Sequence, residues 1–272
     1  MSAPVVEGRV SPEAVGAVLA RVREQAPLVH CMTNVVVAGF TANVLLAVGA
    51  SPAMVENDEE SAEFAAMADA LLVNLGTLSA ERARAMRLAT AAARAAGTPW
   101  VLDPVAVGPL AFRTTLAAEL LAQRPRVIRG NPSEVLSLAG AAGGGRGVDS
   151  TAEPARAVPA AQDLVARTGG AVAVSGAVDH LVDATRVLQV HTGHPLMTAV
   201  TGVGCALGAL VAACCAVEDD PLTAAAAATA GLTVAAEVAA GNSSGPGSFA
   251  VALVDSLYHL DDDTLARHLE RR

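Results

Sequence analysis

Short runs of β-forming apolar residues alternate with longer helical patterns along almost all of this 272-residue chain, and no other feature restricts its fold as much. A strand, a helical crossover and a second strand form a right-handed unit. Repeating that unit builds a mainly parallel sheet with helices on both faces. The expected architecture is therefore α/β, a single domain over residues 1–272 with a mainly parallel central sheet. No linker or internal repeat divides the chain, and candidate site residues fall in both halves, so they need a common cleft.

Local signals place the elements. Ser11-Pro12-Glu13 predicts a capped helix to about Arg23, and Pro27 to Cys31 reads as a strand. A helix from Phe40 to Val48 closes at Gly49, Pro52 to Val55 is extended, and Asn57 caps a helix to about Ala68. Ala70 to Asn74 is a strand, Ser79 caps a long helix closed by Gly97, and Trp100 to Leu102 and Val127 to Arg129 are strands. A Gly-rich loop, Gly143 to Gly147, leads into a helix to about Arg167, and Ala171 to Ser175 returns as a strand. Leu181 to Val190 reads as a hairpin turning at Asp183 to Arg186. Helices follow at Cys205 to Val217, at Leu222 to Ala240 and, last, after Gly247.

Composition excludes several functions. Aromatics are only 2% of a chain that is 53% hydrophobic, so the core must be Ala, Val and Leu at close range. A net charge of −9 argues against nucleic acid or an anionic membrane as partner, since both need a basic face. All 18 basic residues are arginine. Without lysine there is no Walker-type phosphate lysine, no Schiff base to a pyridoxal cofactor and no protein-kinase strand lysine. Cys31, Cys205, Cys214 and Cys215 lack C-x-x-C spacing and the amino terminus lacks a signal-peptide pattern, which predicts a reduced, cytoplasmic protein. The uncharged stretches Cys31 to Val55 and Pro195 to Val217 are interrupted by Asn, Gly or Pro short of the about 20 apolar residues a membrane span needs.

In open α/β sheets ligands gather at the carboxyl ends of the strands, so polar residues just after each apolar run are the candidates. Five places qualify: His30 to Asn34, Asp103, Arg129 to Glu134, Ser175-Gly176, and Thr201 to Cys205. In Thr201-Gly202-Val203-Gly204-Cys205, glycines lead into an apolar helix whose first N–H groups are free to hold an anion. The bland alternative is a tight turn into a packed helix. Cys205 falls in that first turn, where a thiol pKa tends to drop and a base is poised, or else it is a small buried residue. Asn131-Pro132-Ser133-Glu134 is a near-ideal helix start, yet Glu134 with Asp103 also suits Mg²⁺ held through its waters. Arg129, just before this turn, suits phosphates that have no lysine to neutralise them, or else is an ordinary surface arginine. His30 and Cys31, adjacent on a strand, point to opposite faces and so are packing residues rather than a catalytic pair. Asn34 and Met54 end their segments where a substrate pocket would lie, although by pattern alone Met54 is core filler, and His194 before Pro195 belongs to a turn.

Taken together, His30-Cys31-x-Thr33-Asn34, Phe40-Thr41-Ala42-Asn43, Gly49-Ala50-Ser51-Pro52-x-Met54, Leu102-Asp103-Pro104-Val105, Arg129-Gly130-Asn131-x-x-Glu134, Thr201-Gly202-x-Gly204-Cys205 and Gly245-Pro246-Gly247-Ser248-Phe249 resemble the hydroxyethylthiazole kinase family of the ribokinase-like superfamily. The blocks run in order from about Pro27 to about Tyr258. The resemblance implies transfer of phosphate from ATP, with Mg²⁺, to 4-methyl-5-(2-hydroxyethyl)thiazole, a salvage step toward thiamine diphosphate, in a homotrimer with active sites between subunits. It implies Met54 and Gly202 on the thiazole, Arg129 and Ser175 on ATP, Asp103 and Glu134 serving the metal, and Cys205 where the wider superfamily has an aspartate base. Val203 and Ser175 depart from the threonines common at both places; Ser175 keeps the hydroxyl, while Val203 removes one phosphate donor. Alternatives are a kinase of another vitamin precursor such as a hydroxymethylpyrimidine, an ATP-dependent dehydratase on the same fold, or a nucleotide-binding regulator without catalysis.

Overall fold

A computed structural model describes residues 6–140 and 153–270. The predicted Gly143 to Gly147 loop lies outside the described residues. The strands are β1 (Val6–Arg9), β2 (Leu28–Met32), β3 (Ser51–Ala53), β4 (Ala70–Asn74), β5 (Trp100–Asp103), β6 (Val127–Gly130), β7 (Ala171–Val174), β8 (Asp179–Val182) and β9 (Arg186–Val190). The helices are α1 (Pro12–Gln25), α2 (Ala38–Ala47), α3 (Ser61–Met67), α4 (Ala80–Ala96), α5 (Ala111–Leu121), α6 (Pro132–Ala139), α7 (Pro154–Thr168), α8 (Val203–Val217), α9 (Pro221–Gly241), α10 (Pro246–Tyr258) and α11 (Asp262–Leu269).

The strands form one sheet in the order β1-β9-β8-β7-β6-β5-β4-β2-β3. Every neighbouring pair is parallel except the two that involve β8. Three of the caps expected from sequence work as chemistry requires: the Ser11 and Ser79 hydroxyls accept the N–H groups of Ala14 and Arg82, and Gly97 closes α4 in the left-handed region at φ 80°.

Strand alternation divides the core into two layers. Ala70, Leu72, Val101, Val127, Ala171 and Ala173 pack with α1, α2, α8, α9, α10 and α11 on one face. Leu71, Val73, Trp100, Leu102, Ile128, Val172 and Val174 pack with α4, α5, α6 and α7 on the other. With so few aromatics, close packing falls to small residues. The helix α9 is long and apolar enough to cross a membrane by composition alone, but its apolar window is 83% buried within the fold.

Some elements differ from expectation. The strand β1 was not foreseen, because all four of its residues are exposed at the sheet edge and carry no apolar alternation. Nor was α5, whose start at Leu110 has no capping side chain. Asn57 accepts the N–H groups of Glu59 and Glu60, yet the regular helix begins only at Ser61, so Asn57 caps a preceding turn. The single helix expected after Gly247 is two: α10 ends at Tyr258, and Asp261 caps a separate α11 by accepting the Thr264 N–H.

Candidate active site

The same alternation that sorts the core also assembles the site. One step beyond Val73, Leu102, Ile128 and Val174 on their strands stand Asn74, Asp103, Arg129 and Ser175, and parity puts all four on the face covered by α8. Asn74 is level with Asp103 across β4 and β5. Leu102 is level with Ile128, so Asp103 and Arg129 are neighbours too. The chain thus builds a polar row across the carboxyl ends of its central strands.

α8 lies over this row with glycine toward it. A Cβ at Gly204 would fall 3.0 Å from Nη1 of Arg129, and one at Gly208, a turn later, 3.3 Å from Oδ2 of Asp103. Sequence reading found Gly204 but missed Gly208, although its spacing of four residues was the available signal. Gly202, with φ 94°, turns the chain into α8, and a Cβ there would meet Val37 at 2.5 Å. The helix begins two residues earlier than expected, which puts Val203, Gly204 and Cys205 in its first turn, with N–H groups that have no partner within the helix.

Asp103 is fully buried. Its Oδ2 accepts the Asn74 amide at 2.7 Å and lies 3.9 Å from Arg129, while its Oδ1 has no partner. Burial, and to a lesser degree the nearby Glu134, push its pKa up to about 7 against the pull of Arg129 and Asn74. Asn74 is a site residue that sequence reading passed over, even though it ends an apolar run. Its Oδ1 accepts the Gly76 N–H at 2.9 Å, which fixes the amide so that the NH₂ faces Asp103.

Glu134 completes a capping box: its Oε2 accepts the Asn131 N–H at 2.9 Å while Asn131 accepts the Glu134 N–H. Its Oε1 accepts the Ala106 N–H, also at 2.9 Å, so the carboxylate ties α6 to the loop after β5. Burial raises its pKa. As a Mg²⁺ site the pair fits in part. The orphaned Asp103 oxygen and two carboxylates with raised pKa values suit a cation. Among the described residues no group of three or more His, Cys, Asp or Glu side chains converges on a metal position. The remaining ligands must then be water or phosphate oxygens, as Mg²⁺ commonly takes them.

Cys205 corrects one expectation. Its thiol pKa is pushed up to about 11, by burial first and by the charge of Asp103 second. At neutral pH the thiol is mostly protonated, against the expectation of a lowered pKa. Iodoacetamide should therefore modify Cys205 slowly at pH 8, where about one molecule in a thousand is thiolate, and about tenfold faster for each pH unit upward. Fast, pH-independent alkylation near pH 7 would contradict this assignment.

Arg129 donates to the Ser175 hydroxyl at 2.9 Å, so the two expected ATP contacts stand together. They open onto a cavity of about 580 Å³ lined also by Gly176, Asp179, Gly193, Met197, Val203, Gly204, Leu207 and Thr233. That is a ligand-sized space. Asp179, another residue not anticipated, accepts the Gly176 N–H at 2.8 Å, and burial pushes its pKa up to about 6. His194 caps a short 3₁₀ turn over Pro195–Ala199, as expected of a turn residue.

The expected substrate residues lie on the other side of the row. Asn34 caps the 3₁₀ turn Val35–Val37, the segment that Gly202 abuts. Met54 follows the edge strand β3, three strands from Asp103, or about 14 Å at the usual strand spacing. His30 Nε2–H donates to the Val55 carbonyl at 2.7 Å and Cys31 is buried on the opposite face, so both are packing residues.

A mainly parallel sheet with this polar row under a glycine-faced helix is the ribokinase-like fold. A ribokinase-like superfamily protein from Enterococcus faecalis superposes with a TM-score of 0.65 at 14% identity, covering 94% of this chain and 97% of that one. The family model for the hydroxyethylthiazole kinase family matches residues 19–263. The hydroxyethylthiazole kinase of Kineococcus radiotolerans is 59% identical over 261 residues, 96% of this chain and 95% of that protein. The structure of a hydroxyethylthiazole kinase from Pyrococcus horikoshii matches with a TM-score of 0.86 and 40% identity, covering 94% and 96% of the two chains. The chain belongs to the hydroxyethylthiazole kinase family, and it is a kinase.

Proposed function

We propose that this kinase transfers the γ-phosphoryl group of ATP to the hydroxyl of 4-methyl-5-(2-hydroxyethyl)thiazole, a salvage reaction toward thiamine diphosphate. The observation that carries the reading is the arrangement of Arg129, the start of α8 and Asp103 between a nucleotide-sized cavity and the Asn34 segment. ATP takes the cavity, with Arg129 and Ser175 on its phosphates. The thiazole takes the side of Asn34, Gly202 and Met54.

In this arrangement the hydroxyl oxygen attacks the γ-phosphorus and the bond to the ADP oxygen breaks. Charge spreads over the transferring oxygens, where the N–H groups of Val203, Gly204 and Cys205 and the Arg129 guanidinium stabilise it. Such loose transition states need positioning and charge more than a strong base. Asp103 and Glu134 would hold a Mg²⁺ ion through its waters, and the ion would supply neutralisation of phosphate oxygens. The ionised Asp103 carboxylate is the acceptor placed for the hydroxyl proton, since the Cys205 thiol already carries one. Cys205→Ala is accordingly expected to lower kcat by no more than about tenfold, below the usual range for loss of a general base. A loss of about 10³-fold would restore Cys205 as the base.

Two further features belong to this reading. Val35, Val36 and Leu46 are 58–67% exposed beside the substrate side, and β3 is an edge strand. A second copy of the chain covering them would close the pocket, in keeping with a homotrimer. The four free cysteines suit a reduced cytoplasm, where ATP is made.

ADP release with Mg-ATP over a panel of heterocyclic alcohols tests the proposal. The thiazole alcohol should be turned over with kcat/KM at least about a hundredfold above a hydroxymethylpyrimidine. Preference for the pyrimidine, or ADP release that ignores the alcohol, would overturn it.

A further inference from the structure

Behind the substrate-side loops lies a side-chain cluster that touches neither the cavity nor the polar row. Arg82 stands three residues after the Ser79 cap, in the first turn of α4. There a cation meets the positive end of the helix dipole and is destabilising. It is also buried, with 11% of its side chain exposed. Strong partners must draw it to such a place.

Those partners come from three loops. Nη2 of Arg82 donates to Oε1 of Glu56 at 2.7 Å and to the Thr33 carbonyl, and Nη1 donates to the Thr77 hydroxyl at 3.4 Å. Glu56 Oε1 also accepts the Thr33 N–H at 3.1 Å, and the Thr77 hydroxyl accepts the Val35 N–H at 3.1 Å. Thr77 is held at φ 48°, a left-handed conformation that a threonine keeps only when its surroundings impose it. One guanidinium therefore ties together the chain after β2, after β3 and after β4. Asn34 sits between the two tied residues Thr33 and Val35, and Met54 is two residues before Glu56.

We propose that Arg82 and Glu56 are positioning residues for the alcohol substrate: their ion pair fixes the Asn34 and Met54 loops in the spacing that receives the heterocycle. They act through those loops and touch no reacting group. The nucleotide side, built on β6 and β7, receives nothing from this cluster, so the two substrates should respond differently. This inference rests on the function proposed above.

The test uses wild-type enzyme, Arg82→Gln, Arg82→Lys, Glu56→Gln and the double variant Arg82→Gln/Glu56→Gln. Three quantities are compared: thiazole alcohol affinity by calorimetry, KM for each substrate, and Tm. In Arg82→Gln the alcohol should bind about tenfold more weakly and its KM rise to match, with KM for ATP within about twofold. Arg82→Lys should recover part of the loss, because an ammonium cannot span all of these acceptors. The double variant should be no worse than the worse single one, as expected of groups that act as a unit. Unchanged alcohol affinity, or both KM values rising together with a fall in Tm, would make the cluster merely structural. Should Arg82→Gln not fold, Arg82→Lys and Glu56→Gln decide by the same criteria. A wild-type enzyme that ignores the thiazole would refute the proposed function itself, a result distinct from any behaviour of the variants.

Discussion

Gly204→Asp is expected to lower kcat by at least about a thousandfold in a protein that still folds. A Cβ at this position lies 3.0 Å from Nη1 and 3.3 Å from Nη2 of Arg129. Those atoms are the far end of a flexible side chain, so a few tenths of an ångström of movement admits the new group. Gly204 is also not among the positive-φ glycines, so a side chain is conformationally acceptable. What fails is the chemistry. The new carboxylate pairs with Arg129 and puts negative charge where the transferring phosphoryl group must sit, reversing a stabilisation that is usually worth two to three powers of ten or more. Gly204→Ala separates bulk from charge and should lose only about tenfold. ADP-release kinetics and thermal denaturation on both variants check this; a folded Gly204→Asp enzyme within tenfold of wild type would place the phosphoryl group elsewhere.

Asp103→Asn should lower kcat by about a thousandfold and, in the same protein, shift the pH dependence of stability. The sign follows from its pKa. Asp103 titrates at about 7 in the fold against 3.8 ordinarily, chiefly because it is buried. Between those values the folded state holds a proton that the unfolded chain has released, so rising pH removes stability across that window. Asparagine has no such charge to bury. Relative to wild type, its Tm should therefore be higher at pH 8 than at pH 5, measured with a chelator present. Glu134 carries a raised pKa too, and loss of the Asp103 charge eases its ionisation, which acts in the same direction. In wild type, kcat should fall on the acid side as Asp103 takes up its proton near pH 7. A Tm difference that does not change with pH would mean Asp103 is not a strained, buried carboxylate.

Much of this was legible in the residues. Alternating strand and helix patterns announced the parallel sheet, and the caps at Ser11, Ser79 and Asn131 marked helix starts that the fold keeps. The rule that polar residues follow apolar runs at the carboxyl ends of strands picked out Asp103, Arg129, Ser175 and the Gly202 to Cys205 segment, which the fold brings together. The elements it missed lacked local signals: β1 has no buried face and α5 no capping side chain. What periodicity could not give was electrostatics in three dimensions. A thiol in the first turn of a helix suggests a lowered pKa, yet Cys205 is buried beside Asp103 from another strand, and burial first and that charge second push its pKa up. Arg82 was hidden for the same reason, because its partners Thr33, Glu56 and Thr77 come from three separate loops.

We propose that this enzyme, which has no lysine, meets a triphosphate chiefly with the amides at the start of α8 beside Arg129. A crystal structure with ADP, Mg²⁺, aluminium fluoride as a mimic of the transferring phosphoryl group, and the thiazole alcohol tests that directly. The fluoride atoms are expected within hydrogen-bonding distance of N–H groups in the first turn of α8 and of Arg129, with the alcohol oxygen in line on the Asn34 side. Fluoride seated at other strand ends, with the Gly202 to Cys205 segment touching neither nucleotide nor mimic, would contradict the account.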